Sequence, residues 1–97
     1  MEVQWLSGQY AEDYRIFDSL YEAYEWTDSL YPEFLIYLVN KVCVGYATPD
    51  EKVIDYLTDF IPKWANYLNV NVTVNKEKIE TNGKYIYKIW TSNSDES

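Results

Sequence analysis

Histidine is absent from this chain of 97 residues. That removes the commonest general base and the commonest metal ligand together. A Ser-His-Asp or Cys-His catalytic arrangement cannot be built from these residues. Cysteine occurs once, as Cys43, so no intramolecular disulfide and no cysteine-rich metal site can form. Cys43 lies in an apolar run, where a small buried side chain is its expected role. The want of disulfides fits a reducing compartment. The three glycines, Gly8, Gly45 and Gly83, are scattered. They cannot form a phosphate-cradling loop, and each is expected at a turn or a stop. Long apolar runs are missing as well. Phe34–Val39 is far too short to span a bilayer. Met1-Glu2-Val3-Gln4-Trp5 has neither the basic nor the apolar region of a targeting segment. The expectation is one compact domain over residues 1–97, cytoplasmic and away from membranes.

Basic residues are also scarce, and unevenly so. Met1–Asn40 holds eight acids (Glu2, Glu12, Asp13, Asp18, Glu22, Glu25, Asp28, Glu33) and one base, Arg15. That segment therefore carries −7 of a whole-chain charge of −8. Lys41–Asn69 has four acids against three bases, and Val70–Ser97 has four of each. The acidity is local. Such a surface repels nucleic acid and anionic lipid and attracts basic proteins. Hydrophobic residues at 47% and aromatic residues at 19% argue against disorder despite the charge.

The pattern along the chain reads as α+β: about three helices, then a three-stranded antiparallel meander, with a short N-terminal edge strand at Glu2–Leu6. Gln9–Thr27 reads as the first helix. Tyr10, Tyr14, Phe17, Tyr21 and Tyr24 recur every three or four residues as one stripe, expected to face the core. Leu30–Val44 reads as a second, buried helix with Pro32 in its first turn and Gly45 as its stop. A buried strand is the rival reading there. Thr48-Pro49-Asp50-Glu51 predicts a capping box, with Thr48 as N-cap and Glu51 at the third position. Val53, Leu57, Phe60, Ile61, Trp64, Tyr67 and Leu68 follow at helical spacing, and Pro62 predicts a kink or break near Asp59–Ile61. After Asn69 the period becomes two. Asn82-Gly83 predicts a two-residue hairpin pairing Thr81 with Lys84 and Ile79 with Ile86. Ile79, Ile86 and Trp90 then share one face, and Tyr85, Tyr87 and Ile89 the other. A polar, frayed tail is expected at about residues 92–97.

Candidate chemistry narrows quickly. Carboxylates on one helix flank do not face each other across a cleft, as an acid/base pair must. No EF-hand pattern occurs. No catalytic residue, cofactor or metal site is therefore expected. Tyr85 and Tyr87 near Lys78, Lys84 and Lys88 resemble a base-stacking surface, but the overall charge argues against direct nucleic-acid binding.

The remaining candidate is the acidic, aromatic first helix. Asp18, Glu22 and Glu25 fall in a row on one flank, with Glu12, Trp26 and Asp28 close by. The row is either a solubility face or a face for a partner's Lys and Arg side chains, with Trp26 available for stacking. The charge asymmetry favours the second: like charges four apart destabilise a helix, and a purely solvated face more often mixes signs. In size, acidity and aromatic richness the chain is similar to a class of small acidic α+β proteins, often phage-encoded, that disable nucleic-acid-handling enzymes. That likeness implies a non-enzymatic inhibitor of anti-defence type, anti-CRISPR included. It would present Glu12, Asp18, Glu22, Glu25, Trp26 and Asp28 to the basic groove of a nucleic-acid-binding protein. The alternative is a small homodimeric interaction or scaffold domain, joined through exposed aromatics and a free strand edge.

Overall fold

The computed structural model describes residues 3–6 and 16–93. Its elements are β1 (Gln4–Trp5), α1 (Leu20–Asp28), α2 (Tyr31–Val39), β2 (Val44–Thr48), α3 (Glu51–Tyr67), β3 (Val72–Thr81) and β4 (Lys84–Asn93). The architecture is α+β, with three helices against a four-stranded mixed sheet of order β1-β2-β4-β3.

The sheet is assembled differently from a C-terminal meander. The segment after Asn69 forms two long strands joined at Asn82-Gly83, not three. Both turn residues have positive φ, 53° and 77°, as a type I′ turn requires. Thr81 faces Lys84 and Ile79 faces Ile86, as the turn chemistry predicts. The third strand comes from between the second and third helices: β2 lies antiparallel to β4, and β1 adds parallel to β2. Gly45 is accordingly not a helix stop. It sits inside β2, where a Cβ would fall 2.6 Å from the Trp5 ring. Glycine lets that indole lie on the strand.

Helix boundaries shift for local reasons. The first helix starts at Ser19, whose hydroxyl accepts the Glu22 N–H at 3.2 Å. Ser19 and Glu22 have the spacing of a capping box. Asp18 lies in the bend before it, and Gln9–Arg15 falls outside the described residues. The second helix ends at Val39 rather than Val44. Lys41 takes φ 57°, and the Val42 N–H reaches back to the Tyr37 carbonyl at 2.9 Å. This is a Schellman closure with lysine where glycine is usual. The third helix is capped by Asp50, not Thr48. Asp50 Oδ1 accepts the Lys52 N–H at 2.9 Å, while the Thr48 hydroxyl accepts the Asp50 N–H at 3.1 Å. Pro62 does not break α3, which continues to Tyr67. Pro62 is on the exposed side, where water can satisfy the carbonyl that proline leaves without a donor.

The core lies between the helices and one sheet face. Ala23, Leu30, Phe34, Leu38, Val53, Ile54, Leu57 and Ile61 pack on Val44, Tyr46 and Ile89. Tyr46 and Ile89 are direct register partners, so they share a face. Tyr87 lies on that same face, two residues from Ile89. The opposite face carries Ile79, Ile86 and Trp90, with the Trp5 ring 6.2 Å from that of Trp90. Cys43 is buried. Strand β4 runs through Ser92 to Asn93, whose side-chain amide donates to the Lys41 carbonyl at 2.8 Å. No helix among the described residues is long and apolar enough to cross a membrane.

Candidate functional site

Helix α1 has a clear inside and outside. Ala23 and Thr27 are fully buried, and the Thr27 hydroxyl donates to the Ala23 carbonyl at 2.7 Å. At about 100° per residue, Glu22, Glu25 and Asp28 fall on the opposite side, and all three are exposed. Among the described residues no ion pair joins them to a base; the pair found there is Lys52 with Asp50, at 3.1 Å.

Of the expected aromatic stripe, Tyr10 and Tyr14 lie outside the described residues, Phe17 packs against the core, and Tyr21 and Tyr24 do not enter it. Tyr21 is 72% exposed and Tyr24 44% exposed. The small residues Ala23 and Thr27 take the inward positions because α1 lies close against α3. Tyr24 instead lies edge-on over Tyr56 and Phe60 at 5.4 and 5.5 Å. Tyr21 belongs with the acids. Its hydroxyl hydrogen-bonds to Glu25, and that bond, with the carboxylate charge, raises the phenol pKa above 10.0.

The six predicted contact residues therefore divide. Glu22, Glu25 and Asp28 form one outward strip with Tyr21. Asp18 is exposed but precedes the helix, so it does not extend the helical row. Trp26 turns inward. Its indole N–H donates to the Tyr46 hydroxyl at 3.0 Å, and its ring lies 6.1 Å from Phe17. It is not a stacking surface beside the acids. Glu12 lies outside the described residues.

Two of the three strip acids sit at the helix pole that disfavours them. Glu22 is in the favourable first turn, but the last turn has no basic residue and holds Glu25 and Asp28. Acids at a C-terminal pole cost about 0.3–1 kcal/mol each.

On the sheet, Lys78 Nζ stands 4.2 Å from the Tyr85 ring centre and 5.5 Å from that of Tyr87. Lys88 does not join them. It lies on the opposite face, 5.5 Å from the Trp5 ring centre. Lys78 and Lys88 stand over rings on opposite faces of the sheet, so the three lysines make no single basic platform.

Sequence reasoning missed an open aromatic groove beside Asp28. Its volume is about 620 Å³, and its walls are Asp28, Ser29, Tyr31, Pro32, Lys63, Trp64 and Tyr67. The Trp64 ring is held by Tyr31, Phe34 and Phe60, with centres 5.3, 5.4 and 5.6 Å away. Tyr67 is 81% exposed. The signal was present: Trp64 and Tyr67 are three apart at the end of a helix whose core positions were already filled. Among the described residues, no group of three or more Cys, Asp or Glu side chains could hold a metal ion.

No protein-family model, curated protein or solved structure matches the chain.

Proposed function

We propose that this protein is a non-enzymatic, acidic inhibitor that binds another protein, with the outward face of α1 as its contact. The partner is a basic nucleic-acid-binding protein, and the inhibitor occupies the groove that holds DNA or RNA. Anti-defence proteins of phages, anti-CRISPR proteins among them, are the class this fits. The observation that carries the reading is the strip Glu22-Glu25-Asp28: exposed, without a basic partner among the described residues, and placed partly at the pole that disfavours it. Asp18 widens the acidic surface, Trp26 supports it from inside, and Glu12, the remaining proposed contact, lies outside the described residues. The proposed site of action is the cytoplasm of the cell in which the target works. Capture from that cell's lysate at low and then high salt tests the reading. It predicts a basic, nucleic-acid-binding protein that is lost as salt rises. Recovery of no basic protein at low salt contradicts it.

A second reading, the homodimeric interaction domain, is favoured by β3. Its ten residues form the outer edge of the sheet. The tight turn makes Thr81–Lys84 a hydrogen-bonded pair, so the backbone of Lys76, Lys78 and Glu80 points outward. Antiparallel pairing about Ile79 sets Lys78 of one copy against Glu80 of the other, twice. Sedimentation across a dilution series separates the two readings: a stable dimer with no affinity for basic protein supports this one.

A further inference from the structure

We propose that the groove between the α1–α2 corner and the end of α3 receives one arginine side chain of a basic protein partner. The inference rests on the reading of α1 as a contact face and names the anchor that the face lacks.

An acidic strip alone gives long-range attraction and little specificity. A partner held tightly needs a buried centre, and such centres are enriched in aromatic residues and arginine. The groove supplies one side of that pair. Trp64 is an ordered platform, because three neighbouring rings fix it. Its rotamer freedom is already lost, so docking against it costs little further entropy. Tyr31 and Pro32 wall the groove, and Tyr67 stands exposed at its edge. A large ring left in water beside an aromatic groove is an incomplete contact.

Charge selects the occupant. Asp28 is the last residue of α1 and Tyr67 the last of α3. Both helices therefore end at the groove, and neither has a basic residue in its last turn. Two negative helix poles and the Asp28 carboxylate converge there, opposed by the positive pole of α2, which starts at Tyr31. Glu25 and Glu22 on the adjoining strip leave the balance in favour of a cation. Lys63 also lines the groove. Its ammonium limits the site to a single cation and can donate to a carbonyl of the docking backbone. A guanidinium suits these walls better than an ammonium. It is planar, stacks on an indole or phenol face, and pairs with a carboxylate through two parallel hydrogen bonds. Glu25 and Glu22 continue outward from Asp28 and draw in the remaining basic residues.

The test uses the full chain and three peptides of equal length: arginine-rich, lysine-rich, and neutral proline-rich. Binding is measured by calorimetry, and the Trp64 indole N–H is followed by NMR. The arginine peptide should bind about tenfold tighter than the lysine peptide, and only it should shift the Trp64 resonance strongly. Tyr67→Ala, at an exposed position, should fold normally and bring the arginine-to-lysine ratio close to one. Asp28→Asn should weaken the arginine peptide about fivefold. If both basic peptides bind equally and Tyr67→Ala changes nothing, the groove is not the anchor, while the acidic-face reading survives. If neither basic peptide binds, both fail. Tighter binding of the proline-rich peptide overturns arginine as the occupant.

Discussion

The indole N–H of Trp26 donates to the Tyr46 hydroxyl at 3.0 Å, joining α1 to the central strand β2. Burial of Ala23 and Thr27 against α3 orients the acidic helix, and this bond holds Trp26 toward the sheet. Tyr46→Phe removes the acceptor and leaves the shape. The expected cost is about 1 kcal/mol, read as a lower urea midpoint with an unchanged slope. Binding of a basic partner should be nearly unaffected, because Trp26 supports the face from behind.

Asp50 joins three segments and is only 2% exposed. Its carboxylate caps α3 through the Lys52 N–H, pairs with the Lys52 ammonium, and accepts the Phe17 N–H at 2.8 Å. Asp50→Ala leaves the cap and the Phe17 amide without their acceptor. A loss of about 3 kcal/mol is expected in urea unfolding. Asp50→Asn should lose less, because the amide oxygen still accepts one of these bonds.

Tyr21 reports directly on the acidic strip. The Glu25 carboxylate accepts its hydroxyl proton and repels the phenolate, so the phenol holds its proton to higher pH than an ordinary tyrosine. Because the folded-state pKa is the raised one, the stabilising contact is present below pH 10 and lost as pH climbs through the raised value. Glu25→Gln should move the Tyr21 midpoint back toward 10.0, followed by the ring carbon resonances of that tyrosine. An unchanged midpoint would show that the pair does not form in solution.

Much of the fold was legible, and the failures have physical causes. Asn82-Gly83 fixed the hairpin and its register, because positive φ at two adjacent positions is a demand few dipeptides meet. The helix–strand order around β2 was not legible. Val44-Gly45-Tyr46-Ala47-Thr48 is too short and too uniformly buried to show alternation, and its predecessor ends on Lys41 in a conformation that lysine rarely signals. Tyr21 and Tyr24 fitted the periodic stripe, but close approach of α1 to α3 gave the fully buried positions to Ala23 and Thr27. Of the candidate face, the outward placing of Glu22, Glu25 and Asp28 was legible from charge and helical spacing. The groove at Trp64 was not, because it joins the ends of two helices far apart in sequence.

If the strip serves binding, it should be dispensable for folding. Glu25→Lys and Asp28→Lys remove acids from the C-terminal pole of α1 and place bases there. Asp28→Lys should raise stability by about 0.3–1 kcal/mol, and Glu25→Lys by less because it gives up the Tyr21 contact, both measured by urea unfolding at low ionic strength. A stability loss on both would mean that the acids are held by folded-state contacts.

The central claim is that this strip competes with nucleic acid for a basic groove. The direct measurement is displacement of a labelled duplex from the basic protein captured from lysate, at low salt, by the wild-type chain and by Glu22→Lys/Glu25→Lys/Asp28→Lys. The wild-type chain should release the duplex, and the triple variant, folded at least as stably, should fail to do so. Equal displacement by the two chains would contradict the account.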